Sequence, residues 1–286
     1  MTYALFQQTN LPKWEVSLFF QGPIKIEKPI NFNTRKDYDR EIPLYSNVSI
    51  DFNDRHRFDH SYKIKVNTFA LKRDIAYKWA FIFVGMSFDV LSFLIDVPLT
   101  LTLNNQRVNG EFEYEQSRVV TTEELEFAFK ESRLLFLTKP PFLRALSWYR
   151  KALLSTDPFD KFLAFWNSIE IVSSNYHTKT EKTKAGSKNQ IWQSFNDIWN
   201  ITTVNTLFSN LDLWLKENYN IRNDIAHGLI SIDIDKIEEI SSRNVNLQLI
   251  AQKFLEDWRN NKLNPESELS EEKRQLLEDK EWFRAE

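Results

Sequence analysis

The chain has 286 residues, enough for two domains of ordinary size, and its 42% hydrophobic and 14% aromatic content can bury a sizeable core. It contains no cysteine, which excludes disulfides, thiol catalysis and cysteine-type zinc sites and fits a reducing, cytoplasmic setting. A formal charge of −3 argues against a globally basic nucleic-acid coat while leaving room for a local basic patch.

The opening stretch "MTYALFQQTNLPKW" lacks a basic region followed by an apolar core, so no secretory leader is expected. Up to about residue 130, short runs rich in β-branched and aromatic residues recur between Pro, Asn and Gly: "VSLFF", "IKIEKPI", "VSIDF", "YKIKVNTFAL", "VPLTLTL" and "EFEYE". Asn109-Gly110 predicts a hairpin turn beside the last of these. Leu71 to about Phe88 predicts a helix on which the sheet packs. Residues 1–130 therefore read as a mixed α+β domain whose pattern assigns it no role. The most membrane-like window, residues 79–97, carries Asp89 and Asp96. A carboxylate at mid-bilayer costs roughly 2.5–3.5 kcal/mol, so a buried helix is expected and no membrane partner.

Beyond residue 135 the period becomes helical. Pro140-Pro141 ends what precedes, and Leu143, Leu146, Tyr149 and Leu153 recur at threes and fours. A second helix opens at Asp157-Pro158, where Asp can cap and Pro is tolerated. Its apolar stripe is Phe159, Phe162, Leu163, Trp166, Ile169 and Ser173. "HTKTEKTKAGSKNQ" reads as a mobile, Lys-rich loop. Helices are expected around 190–199, 204–217, 222–229 and 236–257, making 140–258 an all-α bundle, followed by a charged helix over 265–286 docked by Leu276 and Trp282.

"ENYNIRNDIAHGLI", residues 217–230, holds one of the four histidines, His227, five positions after Arg222. The spacing alone is nonspecific, since Arg55 precedes His60 by the same interval in "RHRFDH". On a continuous helix residues five apart diverge by about 140°, whereas Asn223 and His227 share a face. The productive arrangement is therefore a short helix carrying Asn223 and His227, with Arg222 in its first turn and Asn218 or Asn220 as cap. Its free amide groups would face an anion such as phosphate. Ala226 and Gly228 leave room beside the histidine for a substrate or a second subunit. Glu170 continues the line of Leu163 and Trp166 towards the interior, where a carboxylate needs a cation. Arg222 is one candidate partner; Arg144 and Arg150 on the preceding helix are the others.

"FLAFWNSIEIVSS", followed about fifty residues later by "IRNDIAHG", resembles the HEPN superfamily, and within it the ApeA-like branch, over residues 140–258. The resemblance implies a HEPN-like helical bundle and a metal-independent endoribonuclease, active as a homodimer in which two copies of the motif form one composite site. Carried over to this chain, His227 would move the proton of the ribose 2′-OH or of the leaving oxygen, Arg222 would stabilise the phosphorane, Asn223 would position the phosphate, and Glu170 would support them. Imidazole titrates near cellular pH, and guanidinium stays charged while gripping phosphate. RNA is the implied substrate, and no cofactor is implied. A protein inhibitor or activator would be a further partner, and a toxin or anti-phage defence role follows by family analogy alone. Many relatives keep only the bundle, so a catalytically inactive dimerisation or RNA-binding scaffold is the alternative.

Lys179, Lys182, Lys184 and Lys188 could guide RNA phosphates, or be a solvated loop. His56 and His60, with Asp54 and Asp59 nearby, lack a third ligand and a helical setting, so no metal site is expected. Neither a glycine-rich phosphate loop nor a nucleophile elbow is present. The nine tryptophans fall mostly on apolar stripes and are expected in the core.

Overall fold

The computed structural model describes residues 12–32, 45–52, 61–102 and 118–270. They divide into a first unit within Met1–Leu91, Leu99–Leu134 and Leu269–Glu286, and a second of Ser92–Pro98 and Leu135–Glu268. An antiparallel sheet region is thus followed by a helical C-terminal half.

In the first unit, β1 (Lys13–Gln21), β3 (Ile30–Phe32), β4 (Tyr45–Phe52), β5 (Ser61–Phe69) and β6 (Thr100–Thr102) form one sheet in the order β3-β4-β5-β1-β6. Each neighbouring pair in it is antiparallel. Alternate residues point to one side. Val16, Leu18 and Phe20 of β1 and Tyr62, Ile64 and Val66 of β5 are buried there. The register sets Val16 opposite Val66 and Leu18 opposite Ile64, so apolar side chains meet directly across the strands. Two helices cover this face. In α1 (Arg73–Ile95), Phe88 meets Phe20 edge-on at 4.9 Å, and in α2 (Thr122–Thr138), Phe129 meets Phe32 at 5.2 Å. The hydroxyls of Ser87 and Ser132 join the two helices at 3.1 Å. A parallel pair of short strands, β2 (Ile24–Lys25) and β7 (Arg118–Val119), stands apart from the main sheet.

Several local expectations change. "IKIEKPI" divides into β2 and β3, because Pro29 cannot donate to a ladder. The first helix runs to Ile95 rather than Phe88. The second, α2, was hidden by an aromatic-rich composition, yet its buried Leu125, Ala128, Phe129, Ser132 and Leu135 return at helical intervals. By length and composition α1 could cross a membrane, but 56% of its most apolar window is buried inside the fold, and Asp89 is buried as well. The Asn109-Gly110 turn, "EFEYE", Arg55, His56 and His60 lie outside the described residues.

The second unit is a bundle of α3 (Pro140–Leu154), α4 (Pro158–Tyr176), α5 (Ser187–Ile198), α6 (Ile201–Leu207), α7 (Leu211–Ala226) and α8 (Ile234–Asn261). Proline occupies the first positions of α3 and α4, where its missing N–H costs nothing. Asp157 caps α4, its Oδ1 accepting from the amides of Phe159 and Asp160 at 2.9 Å each. Helix α4 is the central element, packed by α3, α5, α7 and α8. Its Phe162, Phe165, Trp166 and Ile169 are wholly buried. A second aromatic centre surrounds Phe195, whose ring lies 4.9–6.1 Å from those of Trp199, Phe208, Trp214 and Phe254.

The helix expected over 204–217 is two helices, since the Asn210 side chain accepts from Leu213 N at 3.0 Å and starts a new one. Pro265–Glu268 forms a 3-10 turn, and Leu276 and Trp282 lie outside the described residues. Beyond α1, Asp96 adopts a left-handed conformation at φ 51°, which costs a non-glycine residue about 1–2 kcal/mol. Its carboxylate accepts from the Tyr149 hydroxyl at 2.6 Å and from Gln248 Nε2 at 3.1 Å, and these bonds hold it there. Burial, reinforced by the Asp96 carboxylate, raises the Tyr149 phenol well above its ordinary range.

Candidate functional site

The segment "IRNDIAHG" closes a helix instead of opening one. Between Tyr219 and Arg222 nothing breaks the chain, and Asn218 is a buried mid-helix residue whose side chain donates to Trp214 O at 2.7 Å. Asn220 is exposed in the same helix, so neither asparagine caps a new start. What ends α7 is Gly228. Its φ of 65° suits glycine, and it lets Gly228 N bond Ile225 O at 3.1 Å while Leu229 N bonds Asp224 O at 2.7 Å. This double closure is a Schellman cap. The expected helix over 222–229 is therefore replaced by the last turn of α7, and the expected amide cradle for phosphate is absent, because carbonyl ends converge here.

Arg222 lies in that last turn. Its Nη2 is 3.4 Å from Glu170 Oε2 on α4, and its Nη1 donates to Asn223 Oδ1 at 3.1 Å. The Glu170 and Arg222 side chains are only 16% and 28% exposed. Of the three arginines weighed for Glu170, the fold delivers Arg222. A pair so little exposed is screened far less than a surface bridge, and each charge depends on the other. Arg222 Nε is buried and makes no hydrogen bond among the described residues. On the same two helices, the Trp166 ring of α4 stands 6.1 Å from that of Trp214 and 6.4 Å from that of Tyr219.

His227 is the C-cap of α7, with φ −99° and ψ 2°, and is exposed. Among the described residues no hydrogen bond joins it to Arg222. The motif thus splits into an anchored cation and an exposed imidazole. Helix α7 is held by α8, through Arg243 Nη1 to Glu217 Oε2 at 3.2 Å and Trp214 Nε1 to Asn246 Oδ1 at 3.0 Å. Arg243 and Lys236 both pair with Glu239, and the bond from Lys236 is the main reason its carboxyl lies below the usual range. Just past His227, Leu229, Ile232 and Ile234 are 74%, 80% and 74% exposed. The exposed Ile237, Val245 and Leu249 continue along one stripe of α8. Sequence pattern missed this face, since the helical period of α8 does not say which of its two apolar stripes is covered.

The lysine-rich stretch, expected as a loop, contains a short 3-10 turn and the start of α5. Lys182–Ala185 is a 3-10 turn in which Thr183 is buried and exchanges hydrogen bonds with Thr180. Lys184 pairs with Glu181 at 2.7 Å, and Lys182 lies 5.9 Å from the centre of the Trp192 ring. Lys179 is exposed before the turn, and Lys188 is exposed in the first turn of α5. The four lysines therefore occupy three different local settings. Among the described residues no group of acidic and histidine side chains is placed to hold a metal.

Residues 145–255 match the family model described as Methylamine utilization protein MauJ. That span runs from within α3 to within α8, so it covers Glu170, Arg222, Asn223 and His227 but less than half of the chain. No curated protein and no solved structure matches the chain.

Proposed function

We propose that the helical unit is a HEPN-type, ApeA-like ribonuclease: a homodimer that cleaves RNA without a metal ion. The observation that carries this reading is the pairing of a cation fixed by Glu170 with an exposed histidine five residues on, beside an exposed apolar face. Arg222 is held at both guanidinium ends, so its charge is already oriented when a phosphate arrives. His227 is exposed and can reach an acceptor that its own chain does not supply. A second copy docked on Leu229, Ile232 and Ile234 would bring another His227 and Arg222 close by.

In this site one His227 accepts the proton of the ribose 2′-OH as that oxygen attacks phosphorus, and the other donates to the departing 5′ oxygen. Arg222 carries the charge that builds on the phosphorane, with Asn223 on a nonbridging oxygen. The products are a 2′,3′-cyclic phosphate and a 5′-OH, and DNA, which lacks the nucleophile, is spared. A part in defence or toxicity would follow from such an activity. The matched family's description concerns methylamine utilisation and names no RNA chemistry.

The second reading, a catalytically silent scaffold for dimerisation or RNA binding, draws on two features. Glu170 already neutralises Arg222, and helix carbonyls rather than amides face the motif. Wild type and His227→Ala, each confirmed as folded dimers, are to be compared on mixed RNA in EDTA. Cleavage by the wild type alone, with cyclic phosphate ends, supports the nuclease. Equal cutting by both removes His227 from catalysis, and no cutting by either favours the scaffold.

A further inference from the structure

Helix α3 carries Arg144, Arg150 and Lys151 and no acidic residue, in a chain of net charge −3. Its buried side is apolar, formed by Phe142, Leu143, Leu146 and Tyr149. Its outer side is a shallow depression of about 280 Å³ lined by Arg144, Ser147, Trp148, Arg150, Lys151 and Leu154. Trp148 is partly exposed there, whereas Trp166, Trp199 and Trp258 are buried. The Arg144 guanidinium lies 5.5 Å and the Lys151 ammonium 4.5 Å from the centre of the Trp148 ring. Among the described residues neither cation pairs with a carboxylate.

Two exposed cations, without a counter-ion among the described residues, are thus parked on one indole ring. A cation–π contact at an exposed site is weak. A phosphodiester offers each cation a stronger partner, and when the cations turn to it they uncover the ring. An uncovered indole beside bound phosphates is a stacking platform for a base. The base has to be unpaired, because in a duplex both of its faces are already stacked. Ser147, one residue away, adds a hydroxyl in the same depression.

We propose that this face of α3 binds single-stranded RNA, stacking one base on Trp148 and holding the flanking phosphates with Arg144 and Lys151. It is a docking surface separate from the Arg222–His227 motif. It rests on the reading of RNA as substrate, and it deepens that reading by specifying an unpaired strand.

The test is fluorescence anisotropy with a labelled 12-nucleotide 2′-O-methyl oligouridylate, which has no free 2′-OH and cannot be cleaved. The proteins are wild type, His227→Ala, Trp148→Ala, Trp148→Phe and the double variant R144E/K151E, each checked for folding by circular dichroism. Wild type and His227→Ala are expected to bind equally. Trp148→Ala should bind roughly 5- to 100-fold more weakly, while Trp148→Phe keeps most of the affinity. The double variant should bind more weakly and lower the slope of log affinity against log salt by about 1.4, roughly 0.7 for each lost phosphate contact on a single strand.

Trp148→Ala binding as tightly as wild type overturns the proposal. So does no binding by wild type, or equal affinity for a 12-base-pair duplex. Capture of phosphatidylserine vesicles with no affinity for the oligonucleotide would also overturn it. The two readings fail separately. Trp148-dependent binding without any RNA cleavage leaves this surface standing and removes the nuclease. Cleavage with Trp148-independent binding does the reverse.

Discussion

The bundle holds two clusters of positive charge that differ in what surrounds them. Arg222 is half-buried and locked, its guanidinium shared between Glu170 on α4 and Asn223 beside it. Arg144 and Lys151 stand on the outer side of α3 over the Trp148 ring, with no carboxylate partner among the described residues. A cation held by a carboxylate contributes direction and little long-range attraction, because the pair is close to neutral at a distance. Unpaired cations contribute the opposite, an attraction that reaches about a Debye length and adapts in geometry. The contrast assigns them different work. The first suits stabilising a charge that develops at one fixed point, and the second suits gathering a flexible polyanion.

The largest expected effect separates chemistry from capture. His227→Ala should lower RNA cleavage at least 100-fold, in line with loss of a general acid–base group, without changing oligonucleotide affinity. Measured rates on a 5′-labelled RNA in EDTA check this, and an unchanged rate would move the reactive site elsewhere. Next in size is the face beside the motif. Ile232→Asp places a charge on the most exposed of the three apolar side chains following His227 and should weaken dimerisation roughly 10- to 100-fold, as expected for losing a buried isoleucine. Sedimentation velocity over a concentration series reads it. Cleavage should fall together with the dimer if the site is shared between subunits.

A third prediction tests the contrast between the two clusters in the folding equilibrium. Arg222→Ala strands Glu170 and should destabilise the protein by about 1–3 kcal/mol, with part of the loss recovered when Glu170→Gln is added. Arg144→Ala should stay within about 0.5 kcal/mol of wild type, as exposed substitutions usually do. Urea titrations of the four proteins decide this. Equal losses at both sites would erase the distinction between a locked and a free cation.

The smallest effect is a pH limb. Burial pushes the Tyr176 phenol up to about 12, so the folded state keeps its proton where the unfolded chain, ionising near 10, has lost it. The stability linked to that proton is complete below pH 10 and declines as pH rises from 10 towards 12. Tyr176→Phe should flatten this part of the stability curve, and thermal melts between pH 8 and 11.5 would show it.

Much of this architecture was legible in the residues because it depends on local periodicity. Alternation in "VSLFF" and "YKIKVNTFAL" gave β1 and β5, and the threes and fours of Leu143, Leu146 and Tyr149 gave α3. Asp157 before Pro158 marked the start of α4 to the residue. The inward aim of Glu170 could be read from Leu163 and Trp166, although three arginines competed as its partner. The error at "IRNDIAHG" has an instructive cause. Asparagines at 218 and 220 looked like caps, but a cap also needs a preceding break in the helix, and the asparagine that has one is Asn210, after Phe208-Ser209. Gly228 carried the stop signal, and reading it first would have put His227 at a helix end.

By itself, then, the sequence determined strands β1 and β5, helices α3 and α4 with the Asp157 cap, and the presence of an arginine, an asparagine and a histidine within one turn and a half. Each of these follows from residues fewer than about ten positions apart, where sterics and backbone hydrogen bonds dominate. The tertiary structure alone decided that Glu170 takes Arg222, that Leu229, Ile232 and Ile234 are exposed, and that Trp148 faces outward with Arg144 and Lys151 over its ring. Those outcomes depend on which helix packs against which. Helix α4 has one interior, filled by Phe162, Trp166 and Ile169 against α7 and α8, and only that packing fixes which charge is buried and which is left to the solvent.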